Sequence, residues 1–258
     1  MTAATADILH MPRLSIIVAT YNSAATLRRC LESIFSQDFT DWEALVVDGG
    51  SCDGTVDIIT AFSEKLHYWH SRADRGIYDA WNQALKQARG EYVCFIGADD
   101  AWTSKHSLST LFEAIGGREI DLVTSRGTLR DMDWRPVASI GGGWNYARLP
   151  RRLGLIHPGL LHRRTLFDTY GPFDDRLRIV GDLDFLLRLP ANVRVLHVNE
   201  NTIDIQAGGI SRRQFWRRLS ERYHVHTRCA RVGRLRAGIY WADKAWRMPI
   251  ARMLGLPY

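Results

Sequence analysis

LSIIVATYN, residues Leu14–Asn22, is a run of apolar and largely β-branched residues that stops abruptly in polar ones. A strand buried on both faces reads this way, because neither face meets water. The segment predicts a central strand over Leu14–Ala19 with Thr20-Tyr21-Asn22 at its carboxyl end. Outward from it, short apolar runs alternate with helical patterns, the signature of a parallel sheet flanked by helices. Helices are predicted over Ala24–Ser36, where Leu27, Leu31, Ile34 and Phe35 share a face, and over Thr55–Phe62, Ile77–Ala88 and Ser107–Ile115. Strands are predicted over Ala44–Val47, Leu66–Trp69, Tyr92–Ile96 and Ile120–Ser125. Gly90 reads as the cap that stops the Ile77 helix. Past Ser125 the alternation loosens, leaving helix-like Arg164–Tyr170 and Asp182–Leu189 and a strand-like Val193–Val198.

A chain of 258 residues with 46% hydrophobic and 24% charged residues fits one large α/β domain or two small ones and excludes a disordered or disulfide-stapled protein. Cys30, Cys52, Cys94 and Cys229 are too scattered for a zinc finger and read as reduced thiols of a cytoplasmic protein. The opening MTAATADILHMPR lacks the basic start and apolar block of a signal peptide. No uncharged apolar run approaches the roughly 20 residues that cross a bilayer, so the chain is expected to stay inside the cell. The net charge of +6 is uneven: residues 205–258 hold 12 Lys+Arg against 2 Asp+Glu, while residues 1–204 hold 22 against 26.

Open α/β sheets bind ligands beyond the carboxyl ends of their strands. Those ends here are Thr20-Tyr21-Asn22, Asp48-Gly49-Gly50-Ser51 and Gly97-Ala98-Asp99-Asp100. Ser51 and Asp53 serve equally well as caps of the Thr55 helix. Asp48 and the adjacent Asp99-Asp100 ask for more, because neighbouring carboxylates repel unless a cation or proton separates them. Such sparing oxygen ligands suit Mg²⁺ or Mn²⁺. The first strand does not lead into G-x-G-x-x-G, and neither a Walker loop nor a G-x-S-x-G elbow occurs. Those absences set aside a nicotinamide or flavin enzyme, a P-loop kinase and an α/β-hydrolase.

LSIIVATYN, EALVVDGGSCDGT (Glu43–Thr55), DRGIYDAWNQAL (Asp74–Leu85), GEYVCFIGADD (Gly90–Asp100) and GPFDDRLRIVGDLDFLLRL (Gly171–Leu189) together resemble the family-two inverting glycosyltransferases of the GT-A fold. The likeness covers residues 12 to about 212 and rests on the first four of these blocks, in order at strand ends. It implies a single nucleotide-diphospho-sugar transferase domain with a mostly parallel central sheet over 12–210, followed by a basic aromatic helical tail over 211–258. By the same resemblance, Thr20 and Tyr21 hold the nucleobase and Asp48 contacts base or ribose. Asp74, Tyr78, Asp79 and Asn82 line the nucleotide and donor sugar, and Asp99, with Asp100 beside it, holds Mg²⁺ or Mn²⁺ at the diphosphate. The usual D-x-D is broken, since Gly97 stands where its first Asp would be.

The resemblance also places the catalytic base at Asp182, and the chemistry agrees. Displacement at an anomeric carbon needs a carboxylate to take the acceptor's proton while a cation stabilises the departing diphosphate. An N-terminal helix cap is the alternative for Asp182. Asp184 cannot share its helix face, so one of the two caps the helix or pairs with Arg188. His157 in LIHPG is open between acceptor contact and structural turn, whereas His197, Trp81 and Trp102 read as packing residues. GGIS (Gly208–Ser211) with Arg212-Arg213 either closes over the diphosphate or caps a helix.

The implied partners are a nucleotide-diphosphate sugar, foremost a UDP-sugar, and a glycan or lipid-linked acceptor. Nucleic acid is not expected, because the basic tail comes with no recognition motif. In the tail, Phe215, Trp216, Leu219 and Tyr223 alternate with Arg217, Arg218 and Arg222, and Tyr240, Trp241, Trp246, Ile250, Met253 and Leu254 mix with Lys244, Arg247 and Arg252. That pattern suits peripheral attachment to an anionic membrane, here the inner face, or a helix packed on the domain with a solvated basic side. A nucleotidyltransferase of similar fold is the rival enzyme, and it lacks its phosphate loop after the first strand. A non-catalytic nucleotide-sugar or nucleic-acid binding protein is the rival of another class.

Overall fold

The computed structural model describes residues 11–151, 153–209, 214–229 and 232–253, with side chains as far as Trp246. Ser211, Arg212, Arg213 and Leu254, and the side chains of Arg247, Ile250, Arg252 and Met253, lie outside the described residues.

The first strand, β1 (Leu14–Thr20), shows why its sequence has no polar face. Ile17 joins a core with Leu45, Val47, Val93 and Phe95, while Leu14, Ile16 and Val18 join a second with Val46, Cys94 and Ile96. One core lies on each side of the sheet. The helices α1 (Leu27–Phe35), α2 (Thr55–Ala61) and α4 (Ser107–Ile115) cover the second core through Leu27, Leu31, Ile34, Ile59, Leu108 and Leu111. The first core is covered by α3 (Ile77–Leu85), α5 (Thr165–Tyr170) and α6 (Gly181–Arg188) through Tyr78, Trp81, Phe167, Phe185 and Leu186.

Beside β1 run β2 (Trp42–Asp48), β3 (Tyr68–Ser71) and β4 (Tyr92–Gly97), all parallel. Beyond β4 the sheet continues through β8 (Leu161–Arg163), β6 (Leu122–Arg130) and β9 (Val195–Gln206) to β5 (Ala101–Trp102), with β7 (Pro136–Ile140) paired to β6. β8, β5 and β7 pair antiparallel to their neighbours. The register sets Thr20 beside Asp48, Asp48 beside Ser71 and Ala19 beside Gly97, so the polar strand ends share one edge.

The three short strands β5, β7 and β8 carry no pattern long enough to read. β9 runs well past the expected end at Val198, because exposed Asn199-Glu200-Asn201 interrupts the apolar alternation before Ile203 is buried again. Its pairing with β6 shifts register across Ser125–Gly127 for the same reason. Gly90 is not a helix cap, since α3 ends at Leu85. A Cβ at Gly90 would lie 2.5 Å from the Ser15 amide nitrogen, so glycine is required there by the close approach of β1.

The basic tail forms α7 (Phe215–Arg228) and α8 (Gly233–Met253). Leu219, Val225 and His226 of α7 are buried, and Val225 belongs to the first core.

Candidate active site

The turns after β1 and β2 are latched together. Asn22 holds a left-handed backbone (φ 48°); its amide donates to Ser51 Oγ at 2.7 Å, and its Oδ1 accepts from the Cys52 amide at 3.1 Å. The Ser23 and Ala24 amides donate to Thr55 Oγ1 and Asp53 Oδ2 at 2.8 and 3.1 Å. Ser51 and Asp53 are thus occupied in shaping this turn. Asp48, fully buried, accepts through Oδ2 from the Gly50 and Ser51 amides (3.1 and 2.8 Å) and from Ser71 Oγ (2.6 Å), and through Oδ1 from Ser51 Oγ. A carboxylate so fully engaged organises its loop as well as anything it touches. Thr20 is buried, its hydroxyl without a partner among the described residues, whereas Tyr21 is 64% exposed at the rim.

Gly49 brings two expected residues to one point. A Cβ there would lie 2.9 Å from Asp74 Oδ2 and 3.3 Å from the Tyr21 ring, so Tyr21 and Asp74 converge over bare backbone. Asp74 also accepts from the Gly76 amide at 2.7 Å. Asp79 and Asn82 are engaged elsewhere. Asp79 accepts from the Arg75 amide (3.0 Å) and guanidinium (3.1 Å). Asn82 clamps Phe173 by donating Nδ2 to its carbonyl (2.9 Å) and accepting its amide at Oδ1 (3.0 Å).

At the end of β4, Gly97 earns its place in the broken motif. A Cβ there would lie 2.6 Å from Asp99 Oδ1 and 2.8 Å from Asp100 Oδ2, so both carboxylates fold over the space a side chain would fill. Asp100 is 5% exposed and accepts from the Gln206 amide at 3.2 Å. Burial, and then the Asp99 charge beside it, push its carboxyl well above the usual carboxylate range. Two oxygens converging from adjacent acids fit a divalent cation that takes its other ligands from a diphosphate or water. Among the described residues no group of three or more His, Cys, Asp or Glu is placed to hold a metal ion by itself. Nearby, Arg29 reaches the Asp99 carbonyl (3.5 Å) and stacks 3.4 Å from the ring centre of Trp134.

Asp182 begins α6. Its Oδ1 accepts from the Leu183 amide (2.8 Å) and from the buried Tyr78 hydroxyl at a long 3.4 Å. The Tyr78 ring is pressed on Gly181, where a Cβ would lie 2.8 Å away. Burial raises the Asp182 carboxyl to about 6, against the lowering effect of those two donors. A carboxylate poised there is ionised at neutral pH yet basic enough to accept a proton. Asp184, two residues on, is taken up in an ion pair with Arg188 at 3.2 Å.

Three residues stand near the site that the sequence does not assign to it, Arg222 reading there as a basic residue of the tail. Glu221 of α7 accepts from three successive amides of the approach to Asp182, those of Arg178, Ile179 and Val180 (3.1, 2.9 and 3.4 Å). Arg222, on the same helix, is attracted to Asp182 and donates to the Pro150 carbonyl at 2.9 Å. The Arg178 guanidinium packs directly on Gly76, beside Asp74. The available signal was Glu221 itself, one of only two acids in residues 205–258.

His157 resolves as a packing residue. It is 6% exposed, stacked on Trp81 with 5.2 Å between ring centres, and burial pulls its pKa down to about 3. Trp81 and Trp102 are buried and His197 is half-buried on β9. A cavity of about 1150 Å³ opens between α3, α6 and α7, but neither Asp48, Asp99 nor Asp182 lines it. Several of its charges are paired with one another: Arg75 with Asp79 and Asp175, Arg188 with Asp184, Arg228 with Asp174. It is not the strand-end site.

A mostly parallel sheet with polar strand ends and an acidic turn after its fourth strand defines a GT-A fold. The chain superposes on the crystal structure of Staphylococcus aureus TarS 1–349 with a TM-score of 0.67 at 23% identity, over 92% of this chain and 73% of that one. It superposes on a mannosyltransferase from Pyrobaculum calidifontis, in complex with GDP-Man and Mn²⁺, with a TM-score of 0.64 at 20% identity, over 96% and 79%. Residues 15–162 match the family model for glycosyl transferase family 2. A PGL/p-HBAD biosynthesis glycosyltransferase of Mycobacterium bovis is 36% identical over 220 residues, 81% of this chain and 84% of that protein. The chain belongs to glycosyl transferase family 2, and it is a glycosyltransferase.

Proposed function

We propose that this glycosyltransferase moves a sugar, with inversion, from a nucleotide-diphosphate donor, foremost a UDP-sugar, to a glycan or lipid-linked acceptor of the cell envelope. The observation that carries the mechanism is Asp182: a carboxyl raised to about 6 at the start of α6, steadied by Leu183 and Tyr78. In this reading Asp182 takes the acceptor hydroxyl's proton as that oxygen attacks the anomeric carbon and the nucleoside diphosphate departs. Thr20, Tyr21 and Asp48 receive the nucleoside, and Asp74, which lies over Gly49, lines the nucleotide and donor sugar. Tyr78, Asp79 and Asn82 act from behind that surface, since their polar atoms already engage Asp182, Arg75 and Phe173. Asp99, with Asp100 beside it, would hold Mg²⁺ or Mn²⁺. When bound, that ion supplies positive charge to the departing diphosphate.

An envelope acceptor is supported by the relatives' names, among them PGL/p-HBAD biosynthesis and, over 35% of this chain, teichuronic acid biosynthesis in Bacillus subtilis. The basic tail supports peripheral attachment to the inner face of the membrane, where a lipid-linked acceptor would be met in two dimensions. No helix among the described residues is long and apolar enough to cross a membrane. The test is a panel of UDP-, GDP- and dTDP-sugars scored for slow hydrolysis with and without Mn²⁺. One donor hydrolysed above the rest is the expected result; no donor hydrolysed or bound would overturn the reading.

A further inference from the structure

Helix α8 is packed the wrong way round for a helix of a globular domain. At 100° per residue, Leu235, Ile239, Ala242 and Trp246 fall within about 60° of one another and form one apolar stripe. That stripe faces solvent: Leu235 is 80%, Ile239 56% and Trp246 74% exposed, and Ala242 is exposed as well. The opposite side is the one held by the domain. Ala237 is fully buried, Tyr240 stands edge-on to His226 with ring centres 5.8 Å apart, and its hydroxyl accepts from Arg151 Nε at 3.1 Å. Tyr240, which by sequence belongs with the membrane-facing aromatics, is therefore an anchor to the protein, as is buried Leu219 on α7.

We infer that the Leu235–Ile239–Trp246 stripe is the docking face of this protein for an anionic phospholipid bilayer, with α8 lying flat in the headgroup layer. Arg234 and Arg236 are exposed and stand about 100° to either side of the stripe, where their stems can bury and their guanidinium groups reach lipid phosphates. The charge selects the occupant. Residues 205–258 carry 12 basic against 2 acidic residues, so a second copy of this face would be repelled, whereas an anionic surface is drawn in. The inference gives the proposed membrane attachment its surface and rests on that reading.

Sedimentation of the full chain with phosphatidylcholine vesicles, with and without phosphatidylglycerol, tests it beside the variant Leu235→Ser/Ile239→Ser/Trp246→Ser. The parent should pellet with the anionic vesicles, less so in high salt, and the variant should lose about tenfold or more in partitioning. Thermal midpoint and donor hydrolysis should stay at the parent's values, because none of the three residues is buried or at the site. A variant that pellets as well as the parent overturns this face and leaves the attachment standing. A parent that stays in the supernatant overturns both, and one that dimerises instead assigns the face to a second copy.

Discussion

Replacing Asp182 by Asn should make the protein more stable at neutral pH while removing its activity. The carboxyl rises from 3.8 to about 6 on folding, chiefly through burial. A raised carboxyl means the fold disfavours the charged form. The cost is absent while both folded and unfolded states are protonated, grows between the two pKa values, and is complete above the higher one. At about 1.36 kcal/mol per unit it amounts to about 3 kcal/mol at pH 7.5 and about 1 kcal/mol at pH 4.5. Asparagine has the same shape, carries no charge and keeps an Oδ1 to accept from the Leu183 amide and Tyr78 hydroxyl, so most of this cost should be relieved. Urea denaturation of parent and variant should thus give a stabilisation at pH 7.5 larger by about 2 kcal/mol than at pH 4.5. A variant equally or less stable than the parent at pH 7.5, or a gain that does not grow with pH, would refute the claim that the fold holds this carboxyl in a poorly solvated place.

Asp99→Ala should weaken nucleoside diphosphate binding in Mn²⁺ by about tenfold or more and change it little in EDTA, since ligand and ion act together. Equal calorimetric binding by the parent with and without the ion would remove the metal from the account. Gly181→Ala sets a methyl 2.8 Å from the Tyr78 ring and should cost about 1–3 kcal/mol of unfolding free energy in urea, whereas an unchanged stability would mean that Tyr78 moves freely. Glu221→Ala strands three amides before Asp182 and should cost about 2–4 kcal/mol and lower transfer, with Glu221→Gln recovering part of both. Full activity in Glu221→Ala would detach α7 from the site.

What could be read in the sequence followed burial. β1, β2 and β4 are continuous apolar runs because a core lies on each side of them, and their polar ends mark the shared edge. Asp184's pairing with Arg188 was one of two readings open at helical spacing, and it is the one the structure holds. What escaped depends on contacts between distant segments. β5, with two residues, exists only because Ala101 and Trp102 meet Asp204 and Ile203 of β9. The polar partner of Asn82 is the backbone of Phe173, 91 residues away. Glu221 acts on backbone amides, which have no sequence signature of their own. The direction in which α8 faces could not be read either, because an apolar stripe looks the same whether it is buried or exposed.

The central claim is that Asp182 accepts the acceptor's proton and does not hold the donor. It is tested most directly by measuring, on Asp182→Asn, both calorimetric affinity for the preferred nucleoside diphosphate and the rate of sugar transfer. The account predicts affinity within a few-fold of the parent and transfer reduced by about 10²–10⁴-fold or more. Transfer at the parent's rate, with Asp184→Asn inactive in its place, would contradict it.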